Sequence, residues 1–240
     1  MKSIPVKAVF FDAVGTLFDV NGSVGEVYLH YAQKYGVDTS KDMELAVNLA
    51  FKDVFQKMPP PIFSVQSPDK LKQCERLWWF DVVHAVFYRV GMFEGFDDYF
   101  DEVFEAFEHA RHWKIFPETV EVLTRLKEME FELGVISNFD TRFFQIIRAL
   151  ELNQFFDTVT ISSIAGSAKP APRIFQYALD QHCLLPTEAV HVGDHEQEDY
   201  LGAKTTGLHA FYLNRSRQGT LLEQEIATLS VLPARIVLDH

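Results

Sequence analysis

The sequence predicts an α/β protein: a doubly wound, Rossmann-like parallel sheet that carries an inserted all-helical cap. Short apolar runs typical of buried parallel strands recur along the chain, and polar residues follow them. Segments with helical periodicity alternate with these runs, as in folds with helices on both faces of a sheet. Residues 18–112 break the alternation because they contain several helical segments and almost no strand-like run. We therefore predict a core of residues 1–17 and 113–240 and a cap of residues 18–112.

The first predicted strand, residues 6–12, is β-branched and aromatic and ends at Asp12, shortly before Gly15. Similar runs predict further strands at residues 133–138, 158–162, 189–194 and 209–213. Open α/β sheets bind their ligands at the carboxyl ends of the strands. The polar residues at these strand ends are therefore expected to meet at one edge of the sheet.

Helical periodicity predicts the segments between and around these strands. Core helices are expected at residues 117–129, 142–150, 172–184 and 196–206, and cap helices at residues 24–35, 43–56, 69–90 and 96–110. Trp78 lies on the apolar stripe of the third cap helix and is expected inside the cap, whereas the role of its neighbour Trp79 stays open. The residues after Asn214, including Gln218-Gly219-Thr220, predict a loop and a loosely specified tail.

The composition is that of an ordinary soluble globular protein, with 48% hydrophobic and 23% charged residues. A net charge of −12 disfavours nonspecific binding to nucleic acid, because most of the surface repels phosphate. No stretch approaches the ~18 apolar residues that a membrane helix needs. Cys74 and Cys183 lie far apart, without metal-ligand or redox spacing, and are expected to be reduced. We expect a cytoplasmic protein without nucleic-acid or membrane partners; the sequence leaves the oligomeric state open.

Four groups of polar residues lie at or just beyond predicted strand ends. Each group alone would be an ordinary cap or turn feature. The groups are Asp12, Ser137 with Asn138, Lys169, and Asp194 followed by Asp199. Together they have the composition of a phosphate-transfer site, in which a metal ion and a lysine offset the carboxylates.

Four segments resemble the ordered motifs of the haloacid dehalogenase-like hydrolases. They are Phe10-Phe11-Asp12-Ala13-Val14-Gly15-Thr16-Leu17, Val135-Ile136-Ser137-Asn138, Lys169-Pro170, and Val192-Gly193-Asp194 with Asp199. The helical segment after the first motif is similar to that family's first-position cap. Three stretches resemble more narrowly the domain-containing-protein-3 branch: Trp78-Trp79-Phe80-Asp81-Val82-Val83, Ile136-Ser137-Asn138-Phe139-Asp140 and Lys169-Pro170-Ala171-Pro172-Arg173-Ile174-Phe175.

The resemblance implies that Asp12 is a nucleophile that attacks a small phosphorylated molecule and forms an aspartyl-phosphate, which divides one hard displacement into two easier ones. Lys169 would cancel the repulsion between Asp12 and the phosphate and stabilise charge in the transition state. Ser137 and the backbone N–H of Asn138 would hold the phosphoryl oxygens. Thr16 is a weaker candidate for supporting the phosphate.

The resemblance also implies a magnesium site. Mg²⁺ prefers oxygen donors and retains several waters. The implied ligands are Asp12, the backbone carbonyl of Val14, Asp194 and, through water, Asp199. His191 and His195 flank Asp194, but the sequence around them is not a metalloprotease pattern, and we expect them to be hydrogen-bonded structural histidines.

Val14 departs from the family pattern. Phosphatases of the family carry a second Asp two residues after the nucleophile, which protonates the leaving oxygen and later activates water, and valine cannot move a proton. A positioned acid/base contributes ~10²–10⁴-fold, so its loss raises the barrier by about 3 to 5 kcal/mol. We therefore expect weakened or specialised turnover, with aryl or acyl phosphates as the better substrates and accumulation of phosphorylated Asp12.

Two other functions remain open at this point. The first is a catalytically silent protein that retains the phosphate and metal pocket and binds a ligand or partner, for which Val14 is the main argument. The second is a 2-haloacid dehalogenase, which would use the same Asp12 on carbon without metal. Asp194 and Asp199 argue against a dehalogenase, because clustered carboxylates repel one another unless a cation is present.

Overall fold

The structure, a computed structural model, describes residues 6–216 and 224–239. Its strands are β1 (Ala8–Phe11), β2 (Phe18–Val20), β3 (Trp113–Ile115), β4 (Glu132–Ser137), β5 (Thr158–Ile161), β6 (Ala189–Gly193), β7 (His209–Leu213) and β8 (Glu225–Ile226). Six of them form a parallel sheet in the order β5-β4-β1-β6-β7-β8. The predicted α/β fold with a parallel sheet is confirmed.

The strand order places the candidate residues side by side. The chain builds β4 and β5 on one side of β1 and then crosses to the other side for β6, β7 and β8. The carboxyl ends of β4, β1 and β6 are thus neighbours at the point where the order reverses, which is where ligands bind in such sheets. Ser137, Asp12 and Asp194 stand at these three strand ends.

The inserted segment forms the helices α1 (Val24–Ala32), α2 (Lys41–Lys57), α3 (Pro68–Val90) and α4 (Phe96–Ala106). Ser23 and Ser40 cap the first two helices by accepting hydrogen bonds from the backbone N–H groups of Glu26 and Met43. Trp78 is buried, as predicted, and its Nε1 donates to the carbonyl of Pro59 at 2.8 Å. The helices lie within residues 18–112, whose limits as a domain stay a prediction.

The core helices are α5 (Thr119–Glu128), α6 (Phe143–Ala149), α7 (Ser162–Ala165), α8 (Pro172–His182), α9 (Gly202–Thr206) and α10 (Leu232–Asp239). The sheet has an apolar cluster on each face. Val9 and Phe11 of β1 belong to one cluster, and Ala8 and Phe10 to the other, because successive strand residues point to opposite sides. The strands are therefore buried on both faces, as their continuous apolar runs predict.

Two predictions about secondary structure need correction. β2 and β3 pair antiparallel at the base of the cap, with Val20 opposite Trp113, although residues 18–20 were expected to belong to an all-helical insertion. A strand of three residues is too short to show a period of two. The predicted helix 196–206 begins as a π-helical turn, Glu196–Leu201, before α9.

The tail is more ordered than the sequence suggests, because it contributes β8 to the edge of the sheet and ends in α10. The predicted loop residues Gln218-Gly219-Thr220 lie outside the described residues. Within the ranges that the structure describes, no helix combines the length and the apolar content needed to cross a membrane.

Candidate active site

Lys169 joins the predicted nucleophile to the acidic motif. Its Nζ lies 2.5 Å from Oδ1 of Asp12 and 2.5 Å from Oδ1 of Asp199. Asp12 follows β1 directly, and its backbone N–H donates to the carbonyl of Val192 at 2.9 Å, so the end of β6 fixes its position. The Lys169 side chain is only 2% exposed, and this ammonium is therefore buried between two carboxylates.

The side chain of Asn138 positions the loop that carries Lys169. Oδ1 of Asn138 accepts from the Lys169 backbone N–H at 2.8 Å, and Nδ2 donates to the Lys169 carbonyl at 3.0 Å. Nδ2 also donates to Oε2 of Glu198 at 2.9 Å. The side-chain amide of Asn138 is thus engaged with the protein, and the contact of its backbone N–H with phosphate stays a prediction.

The third carboxylate, Asp194, approaches the first motif where Gly15 leaves room for it. Gly15 has φ +86°, and a Cβ built on it would lie 2.3 Å from Oδ2 of Asp194, so any side chain here would clash with the carboxylate. Oγ1 of Thr16 donates to Oδ1 of Asp194 at 3.2 Å. The structure therefore places Thr16 against a carboxylate, and its support of phosphate stays a prediction.

Asp199 is held from several sides. His191 Nε2 lies 3.0 Å from its Oδ1, and the backbone N–H of His195 donates to its Oδ2 at 3.0 Å. The Nδ1 atom of His195 accepts from the backbone N–H of Glu198 at 3.2 Å. Both histidines thus make hydrogen bonds within the protein, as predicted for structural residues.

The electrostatics of the cluster show an excess of negative charge. Asp12, Asp194 and Asp199 each offer an oxygen within 4.8 Å of the others. Burial raises the pKa of Asp12 above its ordinary value, although Lys169 opposes the shift. Burial, followed by the charges of Asp12 and Asp199, raises the pKa of Asp194 to about 7, even though its side chain is open to solvent at the mouth of the site.

The pKa values of Asp199 and Lys169 are shifted in the directions that favour their charged forms. Burial acts to raise the pKa of Asp199, but the charge of Lys169 and the hydrogen bond from His191 outweigh it and hold that pKa below its ordinary value. Burial likewise acts to lower the pKa of Lys169, but the two carboxylates raise it. Lys169 and Asp199 are therefore a charged pair, while Asp12 and Asp194 retain their protons to a higher pH than free aspartates do.

The remaining predicted residues lie around this cluster. Ser137 ends β4 and is 4% exposed. The Val14 side chain is half-buried and packs against the core cluster on one face of the sheet. The contacts of Ser137 and Asn138 with phosphate, and of the Val14 carbonyl with a metal, stay predictions.

Sequence reasoning missed Arg215, which follows β7 in a segment to which no function was assigned. Its Nε donates to the carbonyl of Gly15 at 3.1 Å, and its Nη2 donates to the carbonyl of Thr16 at 2.7 Å. Its Nη1 lies 2.6 Å from Oε1 of Glu118. Arg215 thus fixes the turn after Asp12, and no signal in the sequence around it indicates this long-range contact.

The sequence of this chain is similar to those of known proteins. A model of the haloacid dehalogenase-like hydrolase family matches residues 6–207. The haloacid dehalogenase-like hydrolase domain-containing protein 3 of Danio rerio is 32% identical over 241 residues, which cover 97% of this chain and 97% of that protein. The Homo sapiens protein of the same name is 29% identical, with 87% of this chain and 82% of that protein covered.

Two solved structures illustrate the shared fold. A HAD phosphatase from Thermococcus onnurineus matches with a TM-score of 0.65 and 22% identity, covering 95% of this chain and 97% of that chain. A 2-haloacid dehalogenase from Pseudomonas syringae pv. Tomato matches with a TM-score of 0.64 and 26% identity, covering 98% of this chain and 100% of that chain. The family match over residues 6–207, together with a relative of 32% identity along nearly the whole chain, shows that this chain belongs to the haloacid dehalogenase-like hydrolases.

Proposed function

We propose that this protein is a magnesium-dependent phosphohydrolase that acts on a small phosphorylated molecule through an aspartyl-phosphate on Asp12. The observation that carries the proposal is the buried Lys169 ammonium, which bridges Asp12 and Asp199 beside the third carboxylate, Asp194. This arrangement keeps a nucleophilic carboxylate next to a positive charge that attracts phosphate and that stabilises charge in the transition state.

The donor set fits a hard divalent cation. Three carboxylates and one ammonium meet in the cluster, so a fully ionised site carries two surplus negative charges. Mg²⁺ held by Asp12, Asp194, Asp199 and the Val14 carbonyl would offset that surplus and would neutralise charge on the phosphoryl oxygens. The raised pKa values of Asp12 and Asp194 support this assignment, because burial and the neighbouring carboxylates disfavour their ionised forms, which a bound cation would stabilise.

The residues of the chain then have separate roles. The Asp12 carboxylate attacks phosphorus, the bond from phosphorus to the leaving oxygen breaks, and that oxygen keeps the electron pair. Ser137 and the backbone N–H of Asn138 orient the phosphoryl group, and Lys169 stabilises its charge. Water then attacks the phosphorus of the aspartyl-phosphate, and the bond from phosphorus to the Asp12 oxygen breaks. Asp12 is restored as a carboxylate, and inorganic phosphate leaves with the oxygen and protons of the water.

Val14 limits both halves of this reaction. Because it supplies no proton, a leaving oxygen of low basicity is favoured, as in aryl and acyl phosphates. Because it supplies no base, hydrolysis of the aspartyl-phosphate is slow, and the phosphorylated form accumulates. We expect turnover ~10²–10⁴-fold below that of a site with a positioned acid/base.

Two competing functions retain a specific argument. An apolar residue at position 14 and the similarity to a protein named 2-haloacid dehalogenase favour attack on carbon. The three clustered carboxylates oppose it, since a metal-free site gains nothing from their repulsion. Val14 also favours a silent phosphate-binding protein, which would keep the pocket and lose the chemistry.

One experiment separates the three functions. The protein is incubated with Mg²⁺ and acetyl phosphate and analysed by mass spectrometry, with Asp12→Asn as the control. We expect one phosphoryl group on Asp12 and none on the variant. Release of chloride from a short 2-haloacid, without an adduct from acetyl phosphate, would instead identify a dehalogenase. Magnesium-dependent phosphate binding with neither adduct nor turnover would identify a silent binder.

A further inference from the structure

Two cap residues one helical turn apart reach into the core loop that follows Ser137. Glu75 of α3 accepts a hydrogen bond from the backbone N–H of Thr141 at 3.0 Å and a second from the Thr141 hydroxyl. Trp79 of α3 donates from Nε1 to Oδ2 of Asp140 at 2.5 Å. The cap thus contacts the core loop 138–142 through directed polar bonds as well as through packing.

The loop itself is organised by a buried ion pair. Asp140 accepts from the Arg142 backbone N–H at 2.9 Å, from its Nε at 3.0 Å and from its Nη2 at 2.7 Å. Asp140 is 1% exposed and Arg142 is 7% exposed. A guanidinium that binds one carboxylate through two nitrogens has a fixed orientation, so the pair holds the loop in one conformation.

The cap completes the environment of this ion pair. The Arg142 guanidinium lies 3.9 Å from the ring centre of Phe104 and 5.0 Å from that of Trp79. Its Nη1 also donates to the carbonyl of Phe104 at 3.1 Å. Trp79 and Phe104 belong to different cap helices, so both helices must be in place for the guanidinium to keep its partners.

The loop connects this contact to the site. Asp140 is two residues beyond Asn138, and the Asn138 amide holds the backbone of Lys169 on both sides. A path therefore runs from Trp79 to Asp140, along the backbone to Asn138, and from the Asn138 amide to the backbone of Lys169. Loss of the Trp79 bond would remove a donor from the buried Asp140 carboxylate, whose other donors within the described residues are all on Arg142, and the loop would then be held less firmly.

We propose that Glu75 and Trp79 are positioning residues: by docking on loop 138–142 they hold Ser137 and Asn138 in the geometry that binds phosphate. The inference rests on the proposed phosphohydrolase function, because it assigns these residues to the phosphate-binding step. Phosphate affinity therefore depends on a docked cap. The proposed cation ligands Asp12 and Asp194 follow β1 and β6 and not loop 138–142, so we expect their affinity for Mg²⁺ to depend on the cap much less.

The adjacent tryptophans provide a matched pair of variants. Trp78→Phe removes an indole N–H that bonds Pro59 within the cap, whereas Trp79→Phe removes the indole N–H that bonds Asp140. Hydrogen exchange by mass spectrometry, without any ligand, is measured for the peptide that covers residues 138–144. We expect exchange about tenfold faster in Trp79→Phe, the ratio expected for a lost hydrogen bond to a charged group, and no local change in Trp78→Phe.

The second arm measures binding of inorganic phosphate and of Mg²⁺ to the same proteins by calorimetry. We expect the dissociation constant for phosphate to rise about tenfold in Trp79→Phe, with that for Mg²⁺ unchanged, and both to stay at wild-type values in Trp78→Phe. Glu75→Gln preserves the shape of the side chain but removes the charge that Thr141 contacts, and it should weaken phosphate binding in the same way. It is the test variant if Trp79→Phe does not fold.

Three results overturn the inference. The first is that the peptide 138–144 exchanges equally fast in Trp78→Phe and Trp79→Phe. The second is that exchange in Trp79→Phe becomes faster over the whole chain. The third is that exchange in Trp79→Phe becomes faster in this peptide while its affinity for phosphate is unchanged. The last result would make the contact merely structural. Failure of the wild-type protein itself to bind phosphate would contradict the proposed function, and it is distinguished from these results because it appears before any variant is compared.

Discussion

The core site and the cap are stabilised by different interactions. The site is polar and assembled across the chain, with Thr16 and Asp194 in contact although 178 positions apart. The cap interior is aromatic and local, with buried rings such as Tyr28, Phe87 and Tyr99 packed edge to face or stacked. The stability of the site thus depends on the balance of charge within a fixed backbone, whereas the stability of the cap depends on buried apolar area and shape. Changes of charge should therefore have larger effects in the site than in the apolar interior of the cap.

The largest expected effect comes from restoring the missing acid/base. Val14→Asp should raise turnover of an alkyl phosphate by ~10²–10⁴-fold, because the carboxyl can protonate the leaving oxygen and then activate water. The same change should shorten the lifetime of phosphorylated Asp12. Steady-state kinetics and the decay of the mass-labelled protein measure the two effects.

Val14→Asn is the matched control for this prediction. Asparagine has nearly the shape of aspartate but moves no proton, so we expect no gain in turnover. If neither variant turns over the substrate faster than the wild-type protein, and circular dichroism shows an intact fold, the missing proton donor is not what limits the reaction. If both variants gain equally over the wild-type protein, the polarity of position 14 matters and proton transfer does not.

The next prediction compares the removal of a buried lysine with the removal of a half-exposed one. Lys169→Met should lower the free energy of unfolding of the metal-free protein by about 3 to 5 kcal/mol, because it leaves Asp12 and Asp199 buried without their cation. Lys127→Met removes a half-exposed ion pair with Asp157 and should cost about 1 kcal/mol or less. Urea denaturation measures both, and a similar loss in the two variants would contradict the charge balance inferred for the site.

The sequence was sufficient to predict the parallel sheet and the meeting of four polar residues at its edge. Strands buried on both faces produce continuous apolar runs, and the carboxyl ends of parallel strands lie at one edge of the sheet. Asp12, Lys169, Asp194 and Asp199 were therefore predictable as a group, and the structure brings all four together. The α/β fold could be predicted for the same reason.

Contacts made by isolated residues could not be predicted. Arg215 and Glu75 act through a few long-range hydrogen bonds each, which leave no periodic trace in the sequence. Trp79 was left open because its position on α3 excludes it from the apolar stripe without showing what it meets. β2 and β3 escaped prediction because three residues are too few to display alternation.

The smallest expected effect is a pH dependence that arises from the carboxylates of the site. The pKa of Asp194 is about 7 in the folded protein and near its ordinary value of 3.8 in the unfolded chain, so the folded state binds more protons between these values. The free energy of unfolding of the metal-free protein should therefore fall as the pH rises through this window. The raised pKa of Asp12 acts in the same direction, while the lowered pKa of Asp199 matters only below the window.

Because Mg²⁺ competes with these protons, it should raise the midpoint of thermal unfolding more at about pH 8 than at about pH 5. Thermal unfolding of Asp194→Asn should show little of this difference. An increment that is equal at both pH values in the wild-type protein would show that these carboxylates do not bind the ion.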